Sequence, residues 1–390
     1  MTPAAIITVI SAYFAVILFI SWFTGRKSDN AGFFSGNRKQ SWYVVAIAMI
    51  GSAMSGVTFV SVPGMVATSG FGYMQMALGF IAGQIVIAFV LIPLFYRMNL
   101  VSIYGYLENR FGLSSYRTGA WFFFISKMLG ASVRLYLVCI ALQMMVFGPL
   151  GLPFIVNVAV TVLILIAYTF RGGVKAVIWI DFLKTFCMIV SIALCTIFIS
   201  KSLGFTFGSM CEAVAGSDMS RIFYFDDPDH PQYFFKQFFG GMFTLIAMTG
   251  LDQDMMQRSL TCKNFRDSQK NIITSALLQT VVIFLFLTLG VLLYFFAGAN
   301  GIDATGDTLF PAVATSGLLP AVVGIVFVVG LVSCSYAAGG SALTALTTSF
   351  TVDILGTAGK SEKEVKSMRE KVHIVDKIGR AVQQECRDRS

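Results

Sequence analysis

Charge is scarce in this chain. Of 390 residues, 28 are Lys or Arg and 20 are Asp or Glu, together 12%, about half of what a soluble domain carries. Histidine is nearly missing: only His230 and His373 occur, so a zinc site of the H-E-x-x-H kind is excluded. The seven cysteines have neither paired nor metal-ligand spacing. Cys139, Cys187, Cys195 and Cys334 lie inside apolar runs, Cys262 and Cys386 in basic loops, and they read as small buried hydrophobes. No nucleophile–base constellation is present, and the paired carboxylates Asp252 and Asp254 sit at a helix end, so the chain does not read as an enzyme.

What fills the sequence is hydrocarbon: 56% hydrophobic residues, 37 of them Phe, and a mean hydropathy of +0.77. This is the composition of a polytopic membrane protein embedded in a lipid bilayer. The net charge of +8 does not indicate nucleic acid, because the Lys and Arg residues sit in short loops between apolar runs. The N-terminal run is too long for a secretory signal, has no basic stretch before it and is followed by Arg26 and Lys27, so a retained span is expected.

Nine runs have the length a bilayer requires: 4–24, 41–68, 73–96, 119–148, 152–170, 174–200, 233–257, 271–298 and 318–355. Alternate loops differ in charge. One set carries Arg26, Lys27, Arg38 and Lys39; Arg97, Arg110 and Arg117; Arg171 and Lys175; Arg258, Lys263, Arg266 and Lys270; and a basic tail over 357–390. The other set includes "GPLGLP" at 148–153 and "GANGIDATGDT" at 298–308, which have no Lys or Arg. The positive-inside rule puts the first set in the cytoplasm, the N-terminus outside and the C-terminus inside. The external loop 203–232 ends "FDDPDHP"; Asp226, Asp227 and Asp229 read as a solvated acidic surface, with cation binding the alternative.

Two spans look discontinuous. The second carries Gly51, Gly56 and Pro63 among small polar residues, and the seventh carries Gly240, Gly241 and Gly250 before a polar end. Interrupted spans at corresponding positions point to an inverted-repeat secondary transporter, with freed backbone groups lining the solute path. Close helix packing through Gly and Ser is the other explanation.

Four stretches go beyond pattern: "NLVSIYGYLENRFG" (99–112), "GGVKAVIWIDFLKTFCMIV" (172–190), "TGLDQDMMQRSLTCKNFRDSQKN" (249–271) and "SALTALTTSFTVDIL" (341–355). They resemble the sodium:solute symporter family, to which sodium/glucose, sodium/proline and sodium/sialic acid transporters belong. The likeness runs from about residue 5 to about residue 374. It implies an all-α fold with one extra N-terminal helix before an inverted repeat of five plus five helices, and solute uptake coupled to sodium. Here the second repeat is incomplete. After "REKVHI" (369–374), where relatives begin another span, the chain reads "VDKIGRAVQQECRDRS", and a truncated or frameshifted product is expected.

The resemblance also implies site residues. Arg134, in "GASVRLYL", falls where sialic acid transporters of the family hold an arginine for the substrate carboxylate, and a planar guanidinium grips a carboxylate bidentately. An internal ion pair with Asp181 or Asp252 is its rival reading. Ser55 and Thr58 of the broken second span, Gln75 on the next helix, and Asp252 and Gln253 at the end of the seventh complete the implied solute site. For the main sodium site the resemblance implies the carbonyls of Gly51 and Met54, the carbonyl of Cys334, and two hydroxyls at positions that are Ala337 and Ala338 here. Losing two oxygen ligands weakens a site for a hard cation. A second sodium site in some members uses a match to Asp181 plus hydroxyls near Gly340 and Ser341. Relatives often show Gln three residues after that aspartate; here it is Lys184. Its ammonium either takes the lost cation position, pairs with Asp181 one turn away, or snorkels. Lys127 is expected to snorkel, without a role.

The reading is therefore a secondary transporter of the bacterial cytoplasmic membrane, importing a small polar solute with a carboxylate. No cofactor is expected beyond sodium as the suspected coupling ion; protons are the alternative. A non-transporting sensor or an inactive fragment remains the other class.

Overall fold

The computed structural model describes residues 3–25, 30–143, 147–148, 150–169, 173–357 and 360–373. Arg26, Lys27, Arg171 and the tail 374–390 lie outside the described residues. Within them the chain is helical, joined by turns and short 3-10 segments. That is what a bilayer demands, since every backbone polar group must find a partner without water.

Helices coincide with each apolar run. They are α1 (Pro3–Gly25), α2 (Trp42–Ala53), α3 (Gly56–Gly64), α4 (Tyr73–Arg97), α5 (Leu113–Leu142), α6 (Phe154–Thr169), α7 (Gly173–Ser202), α8 (Phe234–Gly250), α9 (Gln253–Ser259), α10 (Phe265–Ala299) and α11 (Ala321–Ser349). Helix α12 covers residues 362–373. Among the described residues, α4, α7 and α10 are each long and apolar enough to cross a membrane. The pairs α2–α3 and α8–α9 qualify as single bent spans, with bends of 68° and 74°. Helix α5 is long enough but carries Arg117, Lys127 and Arg134.

The two bends are the discontinuities expected from sequence, and one expected glycine flanks each, Gly56 at the first and Gly250 at the second, whereas Gly51, Gly240 and Gly241 lie inside helices. Helix α2 runs through Gly51 and stops at Ala53; α3 starts at Gly56 and continues through Pro63. Helix α8 runs through Gly240 and Gly241 and ends in a π-helical turn over Ile246–Gly250. Most of these glycines serve packing. A Cβ on Gly241 would stand 2.5 Å from the Met76 carbonyl oxygen, and one on Gly51 2.4 Å from Thr185 Oγ1. Small residues thus let α8 close on α4 and α2 close on α7.

Helix α7 packs along both α11 and α2, and α10 crosses α2 and α4. Beyond the first bend an aromatic knot fixes α3. Phe59 stacks on Phe310 at 5.3 Å and meets Phe286 edge-on at 5.6 Å, and Phe310 meets Phe327 at 4.7 Å. All four rings are buried. Outward, Phe19, Phe23, Phe122, Leu163, Phe186 and Phe243 are exposed large hydrophobics, as suits contact with lipid rather than water. Helix α12 is not free in solvent as a basic tail would be. Val365 joins Phe33 and Phe34 in a small core, and buried His373 stands between Thr169 Oγ1 (3.1 Å) and Thr347 Oγ1 (2.8 Å).

The tightest helix contact gives a test. A Cβ on Gly79 would lie 2.1 Å from the Phe238 carbonyl oxygen, whereas one on Gly240 meets nothing within 4 Å. Gly79→Ala is expected to lower the thermal unfolding midpoint in detergent, equivalent to about 1–3 kcal/mol of overpacking. Gly240→Ala should leave it unchanged or slightly higher, since Ala is the better helix former.

Candidate functional site

At the first bend Met54 and Ser55 are extended, and the ladder of α2 ends as Met54 N donates to Ile50 O. Ser55 caps α3. Its Oγ accepts from Thr58 N at 3.3 Å while Thr58 Oγ1 accepts from Ser55 N at 3.3 Å, a reciprocal box that starts the new helix. These two expected solute hydroxyls thus have a structural task at the break, and both remain half-buried.

One face of α7 holds this break. Asp181, Lys184 and Thr185 recur at i, i+3 and i+4, so they share a side of the helix. Ser52 Oγ donates to Asp181 Oδ2 at 2.8 Å, Lys184 Nζ donates to Met54 O at 2.8 Å, and Thr185 Oγ1 donates to Ile47 O at 2.8 Å. Lys184 is fully buried, so it does not snorkel. Its ammonium sits on a carbonyl that the helix break has freed. Gly51 lies where α2 meets α7 most closely, and Cys334 is buried on α11. From α11, Ser341 Oγ also donates to Asp181 Oδ2, at 3.3 Å. Asp181 Oδ1 is buried without a hydrogen-bond partner among the described residues.

At the second bend Asp252 is extended and caps α9, accepting from Met255 N at 3.2 Å. Lys127 Nζ, from α5, lies 2.9 Å from Asp252 Oδ2 and 2.9 Å from Asp254 Oδ2. The snorkelling lysine of the sequence reading is therefore an ion-pair partner. Arg258, counted there among loop charges, is 1% exposed. Its Nη2 stands 2.8 Å from Asp254 Oδ1 and its Nε 3.3 Å from Asp181 Oδ2, as charge pairs outside hydrogen-bond alignment. Asp181 and Asp252, the two partners considered for Arg134, are thus engaged by Arg258 and Lys127.

Two other expected solute ligands brace the chain. Gln75 Nε2 donates to Gln232 O at 2.8 Å and its Oε1 accepts from Tyr224 N at 3.1 Å, so it pins the segment 224–232. Gln253 accepts from Ile103 N at 2.9 Å and donates to Val101 O at 3.0 Å. Both amides are fully buried. The side chains of Arg134, Ala337 and Ala338 lie outside the described residues; their backbones belong to α5 and α11.

Sequence reasoning missed Lys127, Ser52, Asp254 and Arg258. A signal existed for each charge. Lys127 precedes Arg134 by seven residues, hence two turns on the same face. Arg258 follows Asp254 by four.

Residues 33–376 match the model of the Sodium:solute symporter family. The chain belongs to that family. It is 25% identical to the sodium/sialic acid symporter NanT of Aliivibrio fischeri over 92% of this chain and 71% of that protein. It is 26% identical to the human sodium/iodide cotransporter over 70% of this chain and 43% of that one. It is also 26% identical to human sodium-coupled monocarboxylate transporter 2, over 76% of this chain and 50% of that protein. The chain thus spans half or less of the length of these two human relatives. Its fold resembles a Na+-coupled sialic acid symporter in a substrate-bound outward-open state, with a TM-score of 0.86 at 20% identity over 99% of this chain and 83% of that one. It also resembles MHP1, a nucleobase-cation-symport-1 family transporter, with a TM-score of 0.54 at 14% identity over 92% of this chain and 75% of that one. The fold is therefore of the inverted-repeat symporter kind, and the chain is a transporter-family protein rather than an enzyme.

The buried pair gives a second test. Arg258→Met takes the guanidinium away from Asp181, while Asp254 keeps Lys127, and is expected to destabilise by about 3–5 kcal/mol. Arg258→Met with Asp181→Asn should lose less than the sum of the two single losses, read from thermal unfolding of all four proteins.

Proposed function

We propose that the chain forms the solute-carrying part of a sodium-coupled secondary transporter in a bacterial cytoplasmic membrane, importing a small polar solute with a carboxylate. The observation that carries this reading is the pair of broken helices, α2–α3 and α8–α9, whose freed backbone is met by charged side chains, Lys184 at the Met54 carbonyl and Asp252 at the Met255 amide. Irregular backbone at membrane depth is tolerated where it lines a path for solute and ion. The named solutes of the three relatives (sialic acid, iodide and a monocarboxylate) support an anion. Arg134 is the residue proposed to receive it, with Ser55 and Thr58 beside the first break. The nine-span topology, with the N-terminus outside and residues 357–390 inside, belongs to the same proposal and rests on loop charge. Because two relatives are spanned by half or less, the transport activity of the whole protein is itself part of the proposal.

For the ion, the residues fit unequally. Asp181 offers a buried oxygen without a hydrogen-bond partner among the described residues, beside Ser341 Oγ, and suits a hard cation. Met54 O already holds the Lys184 ammonium. We therefore assign sodium to Asp181 and the cation position at Met54 to Lys184.

Reconstituted uptake of a sialic acid and of a short monocarboxylate tests both statements. Arg134→Lys should weaken binding of the carried acid roughly ten- to a hundredfold, the worth of a lost charged hydrogen bond or two. Unchanged binding defeats the carboxylate assignment. With sodium replaced by choline, the parent and Lys184→Gln should both lose uptake, but sodium should raise the melting temperature further in Lys184→Gln, where the Met54 carbonyl is released. An equal rise in both proteins removes Lys184 from the cation position.

A further inference from the structure

We propose that Lys127 is a positioning residue for translocation: its ammonium ties the start of α9, at the second break, to α5 and is the releasable end of a polar relay joining the two breaks. This rests on the transport reading above. The contacts define the clasp. Lys127 Nζ lies 3.1 and 2.9 Å from the two oxygens of Asp252, the extended residue at the bend, and 2.9 Å from Asp254 Oδ2, inside α9. A single cation thus ties the cap and first turn of α9 to α5, 125 residues away in sequence.

From Asp254 the relay continues inward. Arg258 links Asp254 to Asp181, and Asp181 accepts from Ser52, two residues before Met54 at the first break. Three separate helices, α5, α9 and α7, are strung on one line of alternating charge, and the Ser52 hydroxyl joins α2 to its inner end. The two ends of that line differ in their access to solvent. Side-chain exposure is 13% for Lys127 and 21% for Asp252, but 1% for Arg258 and 1% for Asp181. Water can replace a partner at the outer end and cannot at the inner one. Separating Arg258 from Asp181 leaves a buried carboxylate without its guanidinium, whereas separating Lys127 from Asp252 leaves two partly exposed ions. Arg258–Asp181 is therefore the pivot, and Lys127 the contact that opens and closes as α9 moves. Elsewhere on α9 the bonds are neutral: Gln253 to Val101 and Ile103, and Gln257 to Phe34 O and Thr348 Oγ1. They locate the half-helix without locking its angle by charge.

The test uses the full chain in liposomes, with hydrogen exchange read by mass spectrometry and uptake of a sialic acid or a short monocarboxylate read in parallel. Lys127→Met should raise exchange across 253–262 by about tenfold or more, as a local opening, and leave the peptides of α7 unchanged. Lys127→Arg should restore protection. In uptake, Lys127→Met should change the maximal rate and leave KM within about twofold, since the clasp acts on motion rather than on solute binding. If Lys127→Met fails to fold, Asp252→Asn removes one charge while keeping a good cap, and the same rise in exchange across 253–262, with α7 unchanged, is expected. Unchanged exchange at 253–262, or equal loosening of α7, overturns the clasp. Absence of uptake by the parent protein, with the exchange pattern as expected, overturns the transport reading and leaves the clasp standing as a conformational lock.

Discussion

A carboxylate and a guanidinium, both 1% exposed, meet between α7 and α9. Neither Asp181 nor Arg258 can be left there alone, because no water reaches either to replace a missing partner. Several polar contacts between helices are arranged around that constraint. Asp181 draws in Ser52 from α2 and Ser341 from α11. Arg258 draws in Asp254, whose second oxygen in turn takes Lys127 from α5. A single buried pair thereby fixes the mutual positions of five helices, which hydrocarbon packing in lipid does poorly because lipid chains are as apolar as the side chains.

The two helix breaks follow from the same economy of partners. A break frees carbonyls and amides that a bilayer cannot hydrate. At the first, Ser55 and Thr58 satisfy the amides and Lys184 satisfies the Met54 carbonyl. At the second, Asp252 caps the new helix and Lys127 neutralises the cap. Each break therefore has a lysine supplied by another span. The partners differ: a neutral carbonyl at the first and two carboxylates at the second. Motion at the second break is consequently the more sensitive to charge.

Much of the architecture was legible in composition. The apolar runs became helices, and both broken spans were recognised as such. Gly56 and Gly250 flank the breaks, but the other glycines misled, because Gly serves close approach as readily as it serves unwinding. Gly51 and Gly241 turned out to be contact points within helices, with Thr185 and Met76 against them. The ends of the breaks were set instead by Ser55 and Asp252, ordinary helix caps. The site was less legible. Lys127 lies inside an apolar run and Arg258 beside a run of loop charge, and only tertiary packing separates a cation that reaches water from one sealed between helices. Gln75 and Gln253 resembled solute ligands because they are polar at membrane depth. Their amides instead bind the backbone of segments 224–232 and 101–103.

The location of Lys184 bears on how such a scaffold changes its ion. A freed carbonyl presents the same partial negative charge to a metal ion and to an ammonium, and helix α7 brings the ammonium to 2.8 Å. A tethered cation has no translational entropy to lose on binding, so a solute ion competes for Met54 O at a disadvantage. Asp181, one turn earlier on the same face, is different. Its Oδ2 is crowded by Ser52, Ser341 and Arg258, while Oδ1 is buried without a hydrogen-bond partner among the described residues. Two residues on one helix turn thus differ: Lys184 makes one break self-sufficient, and Asp181 keeps one buried carboxylate oxygen without a hydrogen-bond partner among the described residues.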